Sequence, residues 1–319
     1  MSIGEWIAYT LNRLFPLLRM HRDLISAKTN IEANHRWAYC EAQRIFPHFG
    51  AYWGLEGKLV LDIGTGLGGK LPFYIESGAK AVIGIDISEQ SVGIAKEYIC
   101  SLGLSRAVFL SVADAANLPF RDNTFDAIVS INTFEHIERV KEALLECYRV
   151  LKPEGIAFLF LPPYYSPWGP HLEPWIHFPW PHLFFSEKTL MKIVAREDAR
   201  LCLSPKFIGA RSPLSIQDAR RIPDVNHLTF MRFHRMVLQS GFFIKQIALL
   251  PVGYEFLNSA NPVRRAILLL LRTMTSIPFL QEVVVTKMAY VIQKPLKHKA
   301  PTSPTGETIK AMEPAHAVD

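Results

Sequence analysis

The sequence predicts an α/β fold built on a doubly wound, Rossmann-like sheet, and two observations support this class. From residue 58 onward, short apolar runs alternate with amphipathic stretches, which is typical of a parallel sheet with helices on both faces. The first apolar run leads directly into a glycine-rich turn, in the stretch "VLDIGTGLGG" at residues 60–69. With 319 residues, 49% of them hydrophobic, the chain can bury one large core or two modest ones.

The pattern predicts five strands in the first half of the chain and two more near its end. The first five lie at residues 59–63, 81–85, 107–112, 127–131 and 155–161. Between them, "EQSVGIAKEYICSLG" and "EHIERVKEALLECYRVLKPEG" carry apolar residues at three- and four-residue spacing, which predicts helices. Downstream, "TFMRFHRMVLQSG" is a predicted helix, and the runs "FFIKQIALL" and "EVVVTKMAYVIQK" are predicted strands.

These elements divide the chain into three parts. Residues 1–57 form a predicted helical segment, either a lid or a membrane-surface helix, and residues 58–294 form the main domain. Two insertions in that domain, 162–188 and 251–281, follow strands five and six and are expected on the substrate side of the sheet. The tail, 295–319, has almost no large apolar residues and is predicted to be disordered.

Composition excludes several classes of protein. The formal net charge is +6, but the basic residues are spread along the chain, so we expect no nucleic-acid partner. The four cysteines are far apart in sequence and form no C-x-x-C pair, which argues against a disulfide framework and a cysteine zinc site. The expected location is therefore the cytoplasm.

Two amphipathic segments raise the question of membrane contact. The N-terminal stretch lacks the features of a secretory signal, and its predicted helix has one apolar face, made of Ile3, Ile7, Leu11, Leu14 and Leu18. This helix either packs over the main domain or lies on a membrane surface. A second segment, 263–280, is interrupted by Arg272 too early to span a bilayer. Peripheral contact with the inner face of a membrane, through residues 1–22 and 263–280, stays open.

The glycine turn and the acids at strand ends predict a nucleotide site. Gly64, Gly66 and Gly69 match G-x-G-x-x-G, in which glycines permit positive φ and close approach of a ligand, although such turns also occur as plain connectors. Asp86 closes the second predicted strand, where a carboxylate accepts hydrogen bonds from ribose hydroxyls. Asp114 closes the third, where a carboxylate can accept from an adenine amine.

These residues alone are compatible with more than one nucleotide. A nicotinamide dinucleotide would use the same turn and the same ribose acid, so an NAD(P)-dependent oxidoreductase is an alternative. Against it stand Asp62, just before the first glycine, and Asp114 with its "NLPF" sequence, since a pyrophosphate needs neither. A phosphate-binding P-loop is excluded because no Gly-Lys-Ser/Thr follows the turn.

Five linked motifs favour a different cofactor. The stretches "VLDIGTGLGG", "GIDIS", "VADAANLPF", "FDAIVSINTFEHI" and "YRVLKPEGIAFLFLPP" resemble, in order and spacing, the motifs of class I S-adenosylmethionine-dependent methyltransferases. The resemblance covers residues 58–163 and points to bacterial, small-molecule members of the methyltransferase type 11-like group. It implies a seven-stranded sheet with an antiparallel last strand, and S-adenosylmethionine as the cofactor.

The resemblance also implies roles for individual residues. The cofactor-binding residues would be Asp62, Gly64, Thr65, Gly66 and Gly68 for the methionine end, Asp86 for the ribose, Ile87, Asp114 and Ala115 for the adenine, and Asn132 facing the methyl group. The chain departs from the family pattern at Pro72, which is compatible only with the first turn of the next helix.

Candidate catalytic residues follow the fourth strand. The S-adenosylmethionine methyl group is already activated by the sulfonium, so the protein mainly holds a nucleophile in line and, for an oxygen nucleophile, supplies a base. Glu135 and His136 lie just past this strand. His136 is a candidate base, the pair is a candidate for holding a metal, and a helix start with an N-terminal acid is the structural alternative.

A long aromatic and proline-rich stretch follows the fifth strand, with the sequence "LPPYYSPWGPHLEPWIHFPWPHLFFSEK". It is predicted to line the acceptor pocket and to exclude water from it. It contains His171, His177 and His182. Since these histidines lack tight metal-ligand spacing, no metal site is expected. Instead, His171 or His177 is predicted to contact the acceptor, which places His171 with Glu135 and His136 among the candidate catalytic residues.

The predicted function is therefore methyl transfer from S-adenosylmethionine to an oxygen of a small acceptor of lipophilic, sugar-linked or phenolic character. Methylation of nucleic acids is disfavoured because the fourth strand ends in "SINTFEHI", without an "NPPY"-like run. Besides the oxidoreductase, a non-catalytic S-adenosylmethionine-binding protein is a further alternative.

Overall fold

The computed structural model describes residues 2–14, 19–202, 222, 225–254 and 262–296. Seven strands in this part of the chain form one sheet in the order β3-β2-β1-β4-β5-β7-β6. The strands are β1 (Leu59–Ile63), β2 (Ala81–Asp86), β3 (Val108–Val112), β4 (Phe125–Ile131), β5 (Leu151–Leu161), β6 (Phe243–Pro251) and β7 (Val285–Gln293).

Helices cover both faces of the sheet and extend from the N-terminal side. The helices are α1 (Ile3–Leu14), α2 (Arg19–Thr29), α3 (Ile31–Ile45), α4 (Leu71–Glu76), α5 (Glu89–Ser101), α6 (Val140–Val150), α7 (Pro181–Phe184), α8 (Glu187–Leu201), α9 (Phe230–Gln239), α10 (Pro262–Met274) and α11 (Pro278–Val284). Short 3₁₀ helices occupy Phe46–Tyr52 and Phe134–His136.

The sheet topology places a crevice at the carboxyl ends of β1 and β4. β1 pairs in parallel with β2 on one side and β4 on the other, with Asp62 opposite Gly84 and Val129. The chain winds outward in opposite directions from this pair, which is where open α/β sheets bind ligands. β7 is antiparallel to both β5 and β6. The predicted doubly wound sheet, with its antiparallel last strand, is confirmed.

Both faces of the sheet are buried, which explains the nearly continuous apolar runs of the strands. One face packs against α6 and α9, where Leu144 and Phe233 are fully buried. The other face packs against α3, α4 and the first 3₁₀ helix, where Phe46 and Tyr74 are buried. A third apolar cluster lies between α1, α8 and residues 172–178.

Several predicted boundaries differ from the observed ones. The helix predicted from residue 135 begins at Val140, because the Asn226 side chain holds the carbonyl oxygens of Phe134 and Ile137, each at 2.6 Å from Nδ2. β5 begins at Leu151, earlier than predicted. The predicted last strand begins only at Val285, since α11 continues through the preceding residue.

The N-terminal helix α1 packs on the domain with only part of its apolar stripe, since Leu11 packs against the third apolar cluster. Ala8 and Asn12 are buried, and the Asn12 side chain donates to the Trp175 carbonyl at 2.8 Å. Ile3 and Leu14, members of the predicted apolar face, are 80% and 71% exposed, whereas Leu18 lies outside the described residues.

Among the described helices, including α10 in the second amphipathic segment, none is both long and apolar enough to cross a membrane. Besides residues 1 and 15–18 of the N-terminal segment, parts of two further predicted features fall outside the described residues. These are residues 255–261 of the insertion at 251–281, and residues 297–319 of the tail predicted to be disordered.

Candidate active site

The first glycine of the turn is required by both backbone conformation and space. Gly64 follows β1 with φ of 75°, and a Cβ there would lie 2.1 Å from Oγ1 of Thr133. The backbone N–H groups of Gly64 and Thr65 each donate to the Ile85 carbonyl at 2.9 Å. The turn is thereby fixed to the end of β2 and lies next to the residues that follow β4.

The other two glycines of the pattern, Gly66 and Gly69, differ in what a Cβ at each position would contact. Gly66 has φ of 56°, and its missing Cβ would point into open space. At Gly69, a Cβ would lie 2.8 Å from Cα of His35 in α3. The sequence pattern assigned this third glycine to ligand approach, whereas it permits close approach of the N-terminal helix. The His35 Nε2 atom also lies 2.9 Å from the Leu67 carbonyl.

Asp62 is fully buried at the end of β1 and offers an unused acceptor atom. Its Oδ1 accepts from the Tyr74 hydroxyl at 3.1 Å, while Oδ2 has no hydrogen-bond partner among the described residues. Burial raises the pKa of Asp62, and the charge of Lys70 opposes that shift. The Lys70 ammonium donates to the carbonyls of Gly64 and Ile131 at 3.3 and 3.4 Å.

Asp86 and Ile87 lie side by side at the end of β2. Both carboxylate oxygens of Asp86 accept backbone hydrogen bonds at 2.9 Å, one from Gly66 and one from Ser88. These contacts hold the carboxylate in place and leave further lone pairs for other donors. Ile87 is 75% exposed, so it forms an apolar surface beside this acid.

Asp114 after β3 is paired with an arginine that the sequence pattern did not reveal. Its Oδ2 lies 2.6 Å from Arg139 in an exposed ion pair, and its Oδ1 accepts from the Ala116 N–H at 2.8 Å. Ala115, the predicted partner at the adenine edge, is mostly buried. An adenine amine at this position would share Asp114 with Arg139.

Asn132 follows β4 and bridges two distant elements. Its φ of 53° is left-handed, a conformation that asparagine tolerates better than most residues. Its Nδ2 donates to Glu41 of α3 at 3.0 Å, and its Oδ1 accepts from Lys287 of β7 at 2.6 Å. Burial raises the pKa of Glu41, and Lys287 opposes that shift. The predicted methyl-facing residue thus belongs to a polar network.

Glu135, His136 and His171 form a compact group next to this network. One potential ligand atom from each residue lies within 4.8 Å of those of the other two. The His136 and His171 rings are 5.0 Å apart at an interplanar angle of 73°. The structure therefore brings together all three candidate catalytic residues, although His171 comes from a different loop.

Two backbone features hold this group together. The Asn226 side chain donates to the carbonyls of Phe134 and Ile137, and its N–H donates to the Glu135 carbonyl at 2.9 Å. These bonds fix the turn that contains Glu135. Gly169 allows the loop before His171 to fold tightly, since a Cβ there would lie 1.9 Å from the Tyr164 carbonyl oxygen. His171 itself has φ of 58°.

The other two histidines of the aromatic stretch lie elsewhere. His177 is buried, and its N–H donates to Asn12 of α1 at 2.7 Å, so it belongs to the cluster between α1 and α8. His182 packs against the ring of Tyr164 at 5.0 Å. Of the two predicted acceptor contacts, His171 therefore reaches the candidate catalytic pair, whereas His177 supports the N-terminal helix.

Comparison with known proteins agrees with this geometry. Residues 61–159 match a family model described as a methyltransferase domain. The chain contains a class I methyltransferase domain. The matched region runs from β1 into β5 and includes every predicted cofactor-binding residue, and S-adenosylmethionine is the cofactor of such domains.

Known methyltransferases are similar to the chain over the same region. Sterol 24-C-methyltransferase from Gibberella zeae is 37% identical over 100 residues, which cover 31% of this chain and 26% of that protein. Norajmaline N-methyltransferase from Rauvolfia serpentina is 28% identical over 167 residues, covering 51% of this chain and 53% of that protein. The chain thus spans only about a quarter to a half of the length of these relatives.

A solved structure shares the fold. Phosphoethanolamine N-methyltransferase 2 from Haemonchus contortus, in complex with S-adenosyl-L-methionine, aligns with a TM-score of 0.53 at 16% identity. The alignment covers 84% of this chain and 57% of that one. At this level of identity the likeness shows the methyltransferase fold.

The residues of the methyltransferase domain fit its cofactor. The unpartnered Oδ2 of Asp62 is an acceptor for the methionine ammonium, and the fixed carboxylate of Asp86 is an acceptor for ribose hydroxyls. Exposed Ile87 offers an apolar face to a purine ring. These features complement the two ends of S-adenosylmethionine.

Burial shifts the pKa of two members of the group, Glu135 and His171. Burial lowers the pKa of His171 well below its ordinary value, and the neighbouring His136 lowers it further. Burial also raises the pKa of Glu135. His171 is therefore a neutral imidazole at neutral pH and can accept a hydrogen bond from a hydroxyl.

Proposed function

We propose that this protein is an enzyme that transfers the methyl group of S-adenosylmethionine to an oxygen atom of a small acceptor. The observation that carries the proposal is the group of Glu135, His136 and His171 beside the residues that follow β4. An alcohol or phenol needs help to lose its proton during methyl transfer, whereas a free amine does not. Two imidazoles and a carboxylate supply that help.

The proposed roles follow from exposure and contacts. His136 is exposed and accepts the proton of the acceptor hydroxyl. His171 is less exposed, is neutral, and accepts a hydrogen bond that orients the acceptor. Glu135 is buried, lies within 4.8 Å of His136 and stabilises the protonated imidazole by its charge. S-adenosylmethionine supplies the electrophilic methyl group when it is bound.

The aromatic segment after β5 supports an acceptor with apolar character. Tyr164 and Tyr165 lie edge to face at 5.5 Å, and Trp180 bonds through its indole N–H to the Val283 carbonyl at 3.0 Å. Such rings exclude water from the reacting atoms and stack on sugars or phenols. We therefore favour a lipophilic, sugar-linked or phenolic acceptor.

Exposed apolar side chains support peripheral contact with a membrane that carries such acceptors. On α1, Ile3, Trp6 and Leu14 are 80%, 56% and 71% exposed, and on α10 Leu269 and Leu270 are 61% and 62% exposed. Co-sedimentation with anionic phospholipid vesicles tests this contact. Trp6→Ser should weaken it, whereas Phe109→Ser, on the edge strand β3, should not.

Transfer of a labelled methyl group tests the enzyme assignment. The protein is incubated with S-adenosylmethionine carrying ¹³C in the methyl group and with a panel of phenols, glycosides, alcohols and amines. The carbon shift of the product then distinguishes O-methyl, N-methyl and C-methyl groups. An O-methyl product is expected; an N-methyl or C-methyl product would overturn the choice of atom. Cofactor binding without any product would favour a non-catalytic protein.

A further inference from the structure

We propose that Glu135, His136 and His171 bind one divalent cation of the first-row transition series. One donor atom from each of the three residues lies within 4.8 Å of the other two. Two imidazoles and one carboxylate form a donor set that suits iron, cobalt or zinc, whereas magnesium and calcium prefer oxygen donors alone.

The spacing of the donor atoms is close to that of a coordination sphere. With metal–ligand distances of about 2.0–2.2 Å, donor atoms around one ion lie roughly 3–4.3 Å apart. The 4.8 Å limit on the observed spacing lies about 0.5 Å above the upper end of that range. Glu135 and His171 are already held by the Asn226 and Gly169 contacts of their loops.

A second, independent observation points to a bound cation. Glu135 is 4% exposed, and neither of its carboxylate oxygens has a hydrogen-bond partner among the described residues. A buried carboxylate without partners costs several kcal/mol, on the order of the values measured for isolated buried charges. A cation at the centre of the group would satisfy both oxygens at once.

The wider charge distribution is compatible with a cation. Glu41 and Glu173 lie in the same polar region as Glu135, and Lys28 and Lys287 are the basic residues that act on His171. One Oε atom of Glu173 is also buried and unpartnered. Lys70 and Arg44 also act on Glu41, so the acidic and basic groups of the wider region nearly balance.

The role of the cation toward the acceptor rests on the proposed function, whereas its binding does not. When the cation is bound, His136 and His171 are its ligands and no longer the proton and hydrogen-bond acceptors. Three protein ligands leave coordination positions open, and a bound hydroxyl loses its proton to solvent more readily than a free one. Two neighbouring open positions favour acceptors with two adjacent oxygens, such as catechols or hydroxy-carbonyl compounds. The acceptor class is thereby narrowed within the phenolic and sugar-linked group.

The site is tested by titrating the full-length protein with Co²⁺ after removal of metals with a chelator. Visible absorption of Co²⁺ reports coordination by nitrogen ligands, and calorimetry gives the stoichiometry. One Co²⁺ per chain is expected. His171→Ala and Glu135→Gln should each weaken binding on the order of 100-fold or more. His182→Ala, from the same aromatic segment, is the control and should bind like the wild type.

Controls separate this site from folding and from the proposed function. His136 is exposed, so His136→Ala preserves the fold even if the buried variants do not, and it should also weaken Co²⁺ binding. Absence of saturable binding, or equal affinity in all variants, would overturn the proposal. Binding of S-adenosylmethionine is measured in parallel. If the protein binds Co²⁺ but not S-adenosylmethionine, the metal site is supported and the methyltransferase assignment is wrong.

Discussion

The imidazole rings of His136 and His171 lie 5.0 Å apart, although they belong to loops that leave two different strands. Those strands are neighbours, since β4 pairs in parallel with β5 and places Ile131 opposite Phe160. Both loops therefore start from the same edge of the sheet, beside the glycine turn after β1. The topology of the methyltransferase fold thus brings two imidazoles and a carboxylate together beside the predicted cofactor site.

Replacing His136 should separate catalysis from cofactor binding. In His136→Ala, we expect the affinity for S-adenosylmethionine to be unchanged and turnover to fall by about 10²–10⁴-fold, the usual contribution of a general base. Calorimetry and labelled-methyl transfer measure the two quantities. Full turnover in this variant would assign His136 to a structural role.

Replacing Asp86, unlike replacing His136, should weaken the binding of S-adenosylmethionine. Asp86→Ala should abolish detectable binding, and Asp86→Asn should weaken it by roughly 10–100-fold, because hydrogen bonds to a charged group contribute about 1.5–3 kcal/mol. Asp122→Asn is a matched control, since that acid is exposed and pairs with Arg149. Unaltered affinity in Asp86→Ala would contradict the site.

Two glycine substitutions test the geometry of the turn. Gly64→Ala should destabilise the protein by about 2 kcal/mol or more, because the residue has positive φ and the new Cβ would overlap Thr133. Gly93→Ala lies within α5, where a Cβ meets nothing within 4 Å, and should stabilise by about 0.5–1 kcal/mol. Denaturant unfolding measures both; equal effects would exclude a special role for Gly64.

Asn226 should act as a positioning residue for Glu135 and His136. In Asn226→Leu, the carbonyls of Phe134 and Ile137 lose their partner, so we expect a loss of about 1–2 kcal/mol in stability. Turnover should fall about tenfold while cofactor affinity stays constant, since the glycine turn is untouched. A variant that is less stable but retains wild-type turnover would confine Asn226 to a structural role.

His182 should make the protein sensitive to acid. Burial first, and repulsion from His227 second, lower its pKa to about 4 in the folded chain, compared with about 6.5 when unfolded. The stability that neutral His182 contributes is therefore complete above about pH 6.5 and is lost as the pH falls from there toward 4.

A shift of this size corresponds to roughly 3 kcal/mol. In His182→Phe, the unfolding free energy should therefore fall less steeply between about pH 6.5 and 4. Urea unfolding at several pH values, with wild type and variant side by side, measures the slope. Identical slopes would show that His182 is solvated in the folded protein.

The sheet was predictable because its signals are local, and the prediction of the cofactor residues rests on equally local signals. Alternating apolar runs identify strands from a few neighbouring residues, and Asp86 and Gly64 are recognisable by their places at strand ends. Pro72 is in the first turn of α4, as its chemistry requires. None of these features depends on contacts between distant segments.

The hydrogen-bond partners of Asn132 were not predictable from the sequence, because tertiary packing brings them to it. Glu41 and Lys287 reach Asn132 from α3 and β7, and no spacing in the sequence links them. Gly69 matched a ligand-binding pattern, but the pattern cannot show that a helix lies against it. The contact of His171 with His136 likewise depends on a tight turn at Gly169, in a loop far along the chain from His136.

The measurement that tests the central assignment most directly is calorimetric titration of the purified protein with S-adenosylmethionine, S-adenosylhomocysteine and NADH. We expect both adenosyl compounds to bind with micromolar affinity, Asp86→Ala to lose both, and NADH to give no signal. Binding of NADH alone would contradict the assignment and would show that the acids around the glycine turn serve a different cofactor.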